Sequence, residues 1–151
     1  MTNVRTGFGY DVHRFGGDGP VVLCGVEIDH PSGIIATSDG DVAAHAIADA
    51  LLGAAAIGDL GAEYPSNDPT SQGARSLDML RRCTMKVEDR GFDIQNVDVV
   101  IVVEEIRIAP HRDAMRQQLA DALHISLSQV SVKGKTTDGL GAIGAGEGIA
   151  A

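Results

Sequence analysis

The chain has 151 residues, and its 12 Lys and Arg against 21 Asp and Glu give a formal charge of −9, which excludes the basic footprint of a nucleic-acid binder. With 44% apolar and 22% charged residues, the composition is that of one globular domain with a core. No apolar run approaches the roughly 20 residues of a bilayer span, and no signal-peptide segment follows Met1, so the expectation is one cytoplasmic domain over residues 1–151 with neither membrane contact nor a plastid transit segment.

Residues 4–28 read as two extended segments around a turn at Gly16-Gly17-Asp18-Gly19-Pro20, with Val21-Val22-Leu23 and Val26-Glu27-Ile28 in the second. Ser38, three residues before Asp41, resembles a capping box, and the Ala- and Leu-rich stretch Val42 to Ile57 reads as a helix ending near Gly58. Residues 59–73 are rich in Gly, Pro, Asp and Asn and read as loop. Ser76 to Arg90 reads as an amphipathic helix closed by Gly91.

The β-branched run Val97 to Glu104 predicts a strand covered on both faces. Pro110 opens a third helix with Met115, Leu119 and Leu123 on one side, and Val130 to Lys133 reads as a further strand before a glycine-rich tail. The fold class is therefore α/β (α+β): a single-domain sandwich of a mixed sheet with helices on one face. The 19 glycines, without low complexity, point to tight loops and to backbone pressed against a ligand or a neighbouring subunit. Cys24 and Cys83 lie far apart and form no CxxC pair; they read as free buried thiols, with a disulfide as the alternative.

Two motifs fail on context. Gly139-Leu140-Gly141-Ala142-Ile143-Gly144 spells a dinucleotide fingerprint but lacks room for the helix and strand that must follow. Gly134-Lys135-Thr136 imitates the end of a P-loop, yet Gln129 stands where the loop needs glycine. A Lys-Thr-Thr-Asp turn is still able to meet phosphate through amides and hydroxyls.

A third constellation fares better. Asp11 and His13 stand at i and i+2 on an extended segment, so both side chains point to one face, and His45 on the first helix can supply a third donor. One carboxylate and two imidazoles suit Zn²⁺ and leave a tetrahedral position open. Asp49, one turn after His45, is the expected acceptor for its free ring N–H. Spacing alone leaves open that the two histidines are unrelated core or surface residues. For His30, His111 and His124 the expectation is a structural role.

The runs Gly9-Tyr10-Asp11-Val12-His13-Arg14-Phe15, Ser38 to Ala55, Gly58-Asp59-Leu60-Gly61, Tyr64-Pro65-Ser66-Asn67-Asp68-Pro69, Thr136-Thr137-Asp138 and Gly146-Glu147-Gly148-Ile149-Ala150 together resemble the 2-C-methyl-D-erythritol 2,4-cyclodiphosphate synthase family of the non-mevalonate isoprenoid pathway. The resemblance implies zinc on Asp11, His13 and His45, and a second divalent ion, Mg²⁺ or Mn²⁺, on Asp138. It implies a cytidine-diphosphate-linked methylerythritol 2-phosphate as substrate, closed to a cyclic diphosphate with release of CMP. Thr136 matches the residue credited with transition-state stabilisation, and Ser38 a phosphate contact. Asp59, Gly61 and Tyr64 to Asp68 fall on the methylerythritol side, and Val103 to Ala109, with Lys135 to Asp138, on the cytidine side.

The chain also departs from the family pattern. Thr37 occupies the place of a phosphate-binding histidine and is expected to act there as a weaker donor. Glu104-Glu105-Ile106-Arg107 replaces a Pro-Lys pair, with Arg107 as the candidate substitute for the lysine, and Lys135 stands where threonine is usual. Ala142 and Ala145 replace the aromatic and the Arg that line a central cavity in some relatives, so that cavity's ligand site is not expected. The resemblance further implies a homotrimer with active sites at subunit interfaces. Alternatives are a zinc-dependent phosphoester hydrolase and a catalytically weak cytidine-nucleotide-binding relative.

Overall fold

The computed structural model describes residues 4–65, 67 and 69–151. Seven strands and five α-helices follow in the order β1 (Val12–Asp18), β2 (Val21–Leu23), β3 (Val26–Ile28), β4 (Ser32–Ile35), α1 (Val42–Ala55), α2 (Leu60–Glu63), α3 (Ser76–Asp89), β5 (Val97–Val102), α4 (Arg112–Leu123), β6 (Val130–Lys135), α5 (Gly141–Gly144) and β7 (Gly148–Ala150). The main sheet runs β4-β1-β7-β5-β6, parallel only between β5 and β6, and β2 and β3 form a separate hairpin. A mixed sheet with helices packed against it is the expected class.

The elements follow from local chemistry. The α1 helix is nearly all Ala, Leu, Ile and Val, so almost every face can be buried, and Val42, Ala43, Ala44, Ile47, Ala48 and Leu52 are. Its N-cap is Asp41, whose carboxylate accepts from the Ala44 N–H at 3.1 Å; the Ser38 cap expected from the sequence is corrected, because the Ser38 hydroxyl turns toward Ser76 and His45 instead. In α3 the buried set Leu77, Leu80, Cys83, Thr84 and Val87 has helical spacing, and Gly91 follows at φ 78°, where glycine carries no steric cost. The α4 helix buries Met115, Leu119, Ala122 and Leu123. These faces meet Val99, Ile101, Val130, Val132 and Ile149 of the sheet in one core, in which Cys24 and Cys83 are both buried and free.

Several expectations are revised. The two segments read over residues 4–28 are three strands, β1 to β3, with β4 following at Ser32–Ile35, and the loop at 59–73 contains α2 and a 3₁₀ turn at Pro69–Ser71. The second face of β5 is not covered within one chain: Asp98 is exposed and Val100 and Val102 are half-buried, because the helices pack on the other side. The largest revision is β7, formed from the glycine-rich tail and seated between β1 and β5. A Cβ on Gly148 would lie 2.6 Å from the His13 carbonyl oxygen, so the close approach of β1 requires glycine there. β7 meets β5 only at Val102↔Ala150, and a groove of about 920 Å³ lies between residues 4–10, α1 and β5.

No helix among the described residues is long and apolar enough to cross a membrane.

Candidate active site

The Asp11 backbone exchanges two 3.0 Å hydrogen bonds with Ala151, extending the β1–β7 ladder by one residue. Pleating then sends Asp11 and His13 to the face on which α1 packs, while Val12 points outward and is 53% exposed. One turn into α1, His45 meets them. Asp11 Oδ2 lies 3.0 Å from His45 Nδ1 and 3.1 Å from His13 Nδ1. One donor atom from each of the three falls within 4.8 Å of the others, the sole such cluster among the described residues.

The chemistry of this cluster fits a divalent metal ion. His13 Nδ1 is buried and makes no hydrogen bond of acceptable geometry, although a carboxylate oxygen is only 3.1 Å away. Three ligand atoms crowded this closely, one of them buried without a hydrogen bond, are arranged for a shared cation. Burial pushes the Asp11 carboxyl up, but the two imidazoles beside it, His13 and His45, outweigh that and hold the group well below the usual carboxylate range, in the ionised form that ligates.

A cleft of about 160 Å³ opens beside the cluster, lined by His13, His45, Thr37, Ser38, Gly61 and Tyr64 among others. The Asp59 carboxylate accepts from the Ala62 N–H at 2.8 Å and so fixes the start of α2, which brings Gly61 and Tyr64 to the cleft. Asp49 does not serve His45, contrary to expectation: its carboxylate accepts from the Leu60 N–H at 2.7 Å. Helical spacing made that contact possible, but the unpaired amide at the start of α2 takes the carboxylate. His30 fits the structural role, with its ring stacked on Phe15 at 5.0 Å and Nδ1 2.7 Å from the Ser32 carbonyl oxygen. Asp68 lies outside the described residues.

The segments expected on the cytidine side form a second group. Val103 donates its N–H to the Lys135 carbonyl at 2.9 Å, and Glu104 accepts from the Thr137 N–H at 2.6 Å and from its hydroxyl at 2.9 Å. These bonds bind the loop after β5 to the turn after β6. In that turn Thr136 and Asp138 are exposed, with Asp138 at φ 56°. Arg107 is exposed, Ala109 opens a 3₁₀ turn, and Asp138 joins no three-residue metal-ligating cluster among the described residues.

The two groups do not meet within one chain. Register aligns Val12, Ala150, Val102 and Lys135 across β1, β7, β5 and β6, three strand spacings of about 4.8 Å each. Sequence reasoning missed two residues behind His45. Ser76, at the start of α3, places its hydroxyl 2.8 Å from His45 Nε2, and Asp39 accepts from that same hydroxyl. No local spacing connects residues 39, 45 and 76; only tertiary packing does.

A carboxylate and two histidines, gathered between a strand and a helix beside a cleft with hydroxyl donors, define an α/β protein with a candidate metal-dependent active site. The chain belongs to the YgbB family, whose model matches residues 4–151. It is similar to the 2-C-methyl-D-erythritol 2,4-cyclodiphosphate synthase of Pseudoalteromonas atlantica, with 48% identity over 98% of this chain and 91% of that protein. The fold is similar to IspF of Plasmodium falciparum in complex with CDP, with TM-score 0.85, 32% identity, and coverage of 99% of this chain and 92% of that one. It is also similar to the bifunctional IspDF of Campylobacter jejuni, with TM-score 0.94 and 39% identity; 98% of this chain is covered but only 40% of the bifunctional one.

Proposed function

We propose that this protein is a zinc-dependent 2-C-methyl-D-erythritol 2,4-cyclodiphosphate synthase, a cytoplasmic lyase of non-mevalonate isoprenoid precursor synthesis that works as a homotrimer. The observation that carries the reading is the convergence of Asp11, His13 and His45 beside a hydroxyl-lined cleft, in a chain matched by the family from residue 4 to residue 151. The reaction is internal to 4-diphosphocytidyl-2-C-methyl-D-erythritol 2-phosphate. An oxygen of the 2-phosphate bonds to the β-phosphorus, the bond from that phosphorus to the bridging oxygen breaks, and CMP leaves with that oxygen and its electron pair.

Because nucleophile and leaving group belong to one molecule, the protein's task is to fold the substrate into line. Asp11, His13 and His45 would hold zinc, which supplies Lewis acidity toward a phosphate oxygen when bound. Thr37 and Ser38 donate hydroxyl hydrogen bonds to phosphate from the cleft wall. Asp59, Gly61, Tyr64 and Asp68 receive the methylerythritol portion. Val103, Arg107, Ala109, Lys135, Thr136 and Thr137 receive the cytidine diphosphate, with Thr136 beside the phosphates. Asp138 is assigned a second divalent ion, Mg²⁺ or Mn²⁺, whose oxygen-rich coordination an exposed carboxylate can join.

The trimer is supported by the outward face of the sheet. Phe8, Tyr10 and Val12 alternate along the N-terminal segment and are 87%, 60% and 53% exposed. An apolar row of this kind suits burial against another copy. A shared site also accounts for the distance between the two groups of residues within one chain.

The test incubates the purified chain with the cytidine substrate, Zn²⁺ and Mg²⁺ in ¹⁸O-labelled water. CMP and cyclic diphosphate in equal amounts, without label, are expected. Label in the phosphate products, with no cyclic diphosphate, would replace the synthase by a phosphoester hydrolase. CMP binding without turnover would leave a weak nucleotide-binding relative, the reading favoured by Thr37 in place of the family's histidine.

A further inference from the structure

His45 is engaged at both ring nitrogens. Nδ1 faces Asp11 Oδ2 at 3.0 Å, and Nε2 faces the Ser76 hydroxyl at 2.8 Å. Ser76 is 1% exposed and its environment is fully polar: its N–H donates to Asp39 Oδ2 at 3.1 Å, its hydroxyl donates to Asp39 Oδ1, and the Ser38 hydroxyl is 3.2 Å away. A hydroxyl has one proton and an ionised carboxylate only accepts. Ser76 therefore gives its proton to Asp39, and its oxygen is left as acceptor toward His45. Ser38 fits the same polarity: its oxygen, 3.3 Å from His45 Nε2, accepts from the Gly40 N–H at 3.2 Å, and its one proton is left for phosphate in the cleft.

We propose that Asp39 and Ser76 are positioning residues: through the Ser76 hydroxyl, Asp39 holds the His45 proton on Nε2 and so presents the Nδ1 lone pair to the metal. Neither residue touches the ion. Metal-binding histidines commonly donate the distal N–H directly to a carboxylate. Here a buried serine carries that polarity one residue further, from the turn before α1 through the first residue of α3. The inference rests on the assignment of zinc to Asp11, His13 and His45.

The arrangement has a signed consequence. In Asp39→Asn the amide NH₂ opposes a backbone donor in either rotamer, the Asp41 N–H at the place of Oδ1 or the Ser76 N–H at the place of Oδ2, and in the first of these it donates to the Ser76 oxygen where the carboxylate accepted. The Ser76 proton then turns toward Nε2, which favours the Nδ1–H form of His45 that cannot ligate. Ser76→Ala removes the 2.8 Å bond and leaves His45 Nε2 with only its longer 3.3 Å contact to the Ser38 hydroxyl. A purely structural role would not make zinc affinity depend on whether residue 76 keeps its hydroxyl, as the contrast of Ser76→Ala with Ser76→Thr requires.

The experiment measures zinc affinity of the full chain by competition with a chromophoric chelator, for wild type, Ser76→Ala, Ser76→Thr and Asp39→Asn. The unfolding temperature of each metal-free protein separates loss of fold from loss of metal. Ser76→Ala should weaken zinc by about 10- to 100-fold, the range for removal of such a partner, Asp39→Asn by part of that, and Ser76→Thr should stay near wild type. Wild-type affinity in a folded Ser76→Ala, or an equal loss in Ser76→Thr, overturns the relay while the metal site stands. If Asp39→Asn does not fold, the contrast between Ser76→Ala and Ser76→Thr decides. A wild-type chain that binds no zinc overturns the metal assignment and this inference together.

Discussion

Asp41 shows how one buried carboxylate can organise the entry to the site. Its two oxygens accept from the backbone N–H groups of Cys24 at 2.9 Å, Gly25 at 2.7 Å and Ala44 at 3.1 Å, tying the β2–β3 turn to the start of the helix that carries His45. Burial pushes the carboxyl up to about 6; the three amides pull against that rise, and the charge of Asp39 adds to it. A carboxyl whose folded-state pKa is raised contributes stability that is full below its unfolded value and is lost as pH rises through the folded one. Asp41→Asn keeps one acceptor oxygen but turns an NH₂ toward a backbone donor. It should lower stability by about 1–3 kcal/mol in mildly acidic solution. The gap to wild type should narrow between about pH 5 and about pH 7, because only wild type loses stability over that window. Urea midpoints of both chains at the two pH values measure this, and a gap that widens with pH contradicts the raised carboxyl. Asp41 was legible in the sequence as a residue of the helix start. Its reach to Cys24 and Gly25 was not, since those contacts cross 17 and 16 residues of chain, respectively.

At the scale of elements, the helices were readable because their apolar spacing is decided locally, as in Leu77, Leu80, Thr84 and Val87 of α3. Strand β7 was not, because glycine weakens the strand signal where β1 demands it. The same limit applies to the loop after β5, whose Glu104 reads in the sequence as the end of a strand and as a departure from a family pattern, whereas β5 ends at Val102. In the fold, Glu104 joins two elements. The Thr137 N–H, the Thr137 hydroxyl and, at 3.4 Å, the Gly139 N–H converge on its Oε1, and these bonds hold its carboxyl below the usual range. The ends of β5 and β6 are thereby fixed relative to each other, with Lys135 and Thr136 beside the clamp. Glu104→Ala leaves both strands paired but frees the turn. CMP affinity by calorimetry should fall on the order of tenfold, the equivalent of one charge-assisted hydrogen bond, with zinc content unchanged. Unaltered CMP affinity would show that the turn does not depend on the clamp.

For the whole molecule, the metal-ligating set was legible because the strand period and one helix position suffice to bring Asp11, His13 and His45 together. The proposed trimer is implied in the sequence only by family resemblance, since no local pattern encodes how one sheet face would meet another copy. The fold now adds two physical reasons for a shared site: the roughly 14 Å from β1 to β6 estimated from strand spacing, and the exposed row Phe8, Tyr10 and Val12. If zinc residues of one subunit work with cytidine residues of the next, His45→Ala and Thr136→Ala chains are each inactive alone yet complement one another. In trimers reassembled from equal amounts, an intact zinc half faces an intact cytidine half at about one heterologous interface in four. Activity should therefore approach a quarter of wild type, with mixed trimers confirmed by native mass spectrometry. Confirmed mixed trimers no more active than the parents would instead place both halves of the site in one chain, which would then have to fold its substrate across four strands of its own sheet.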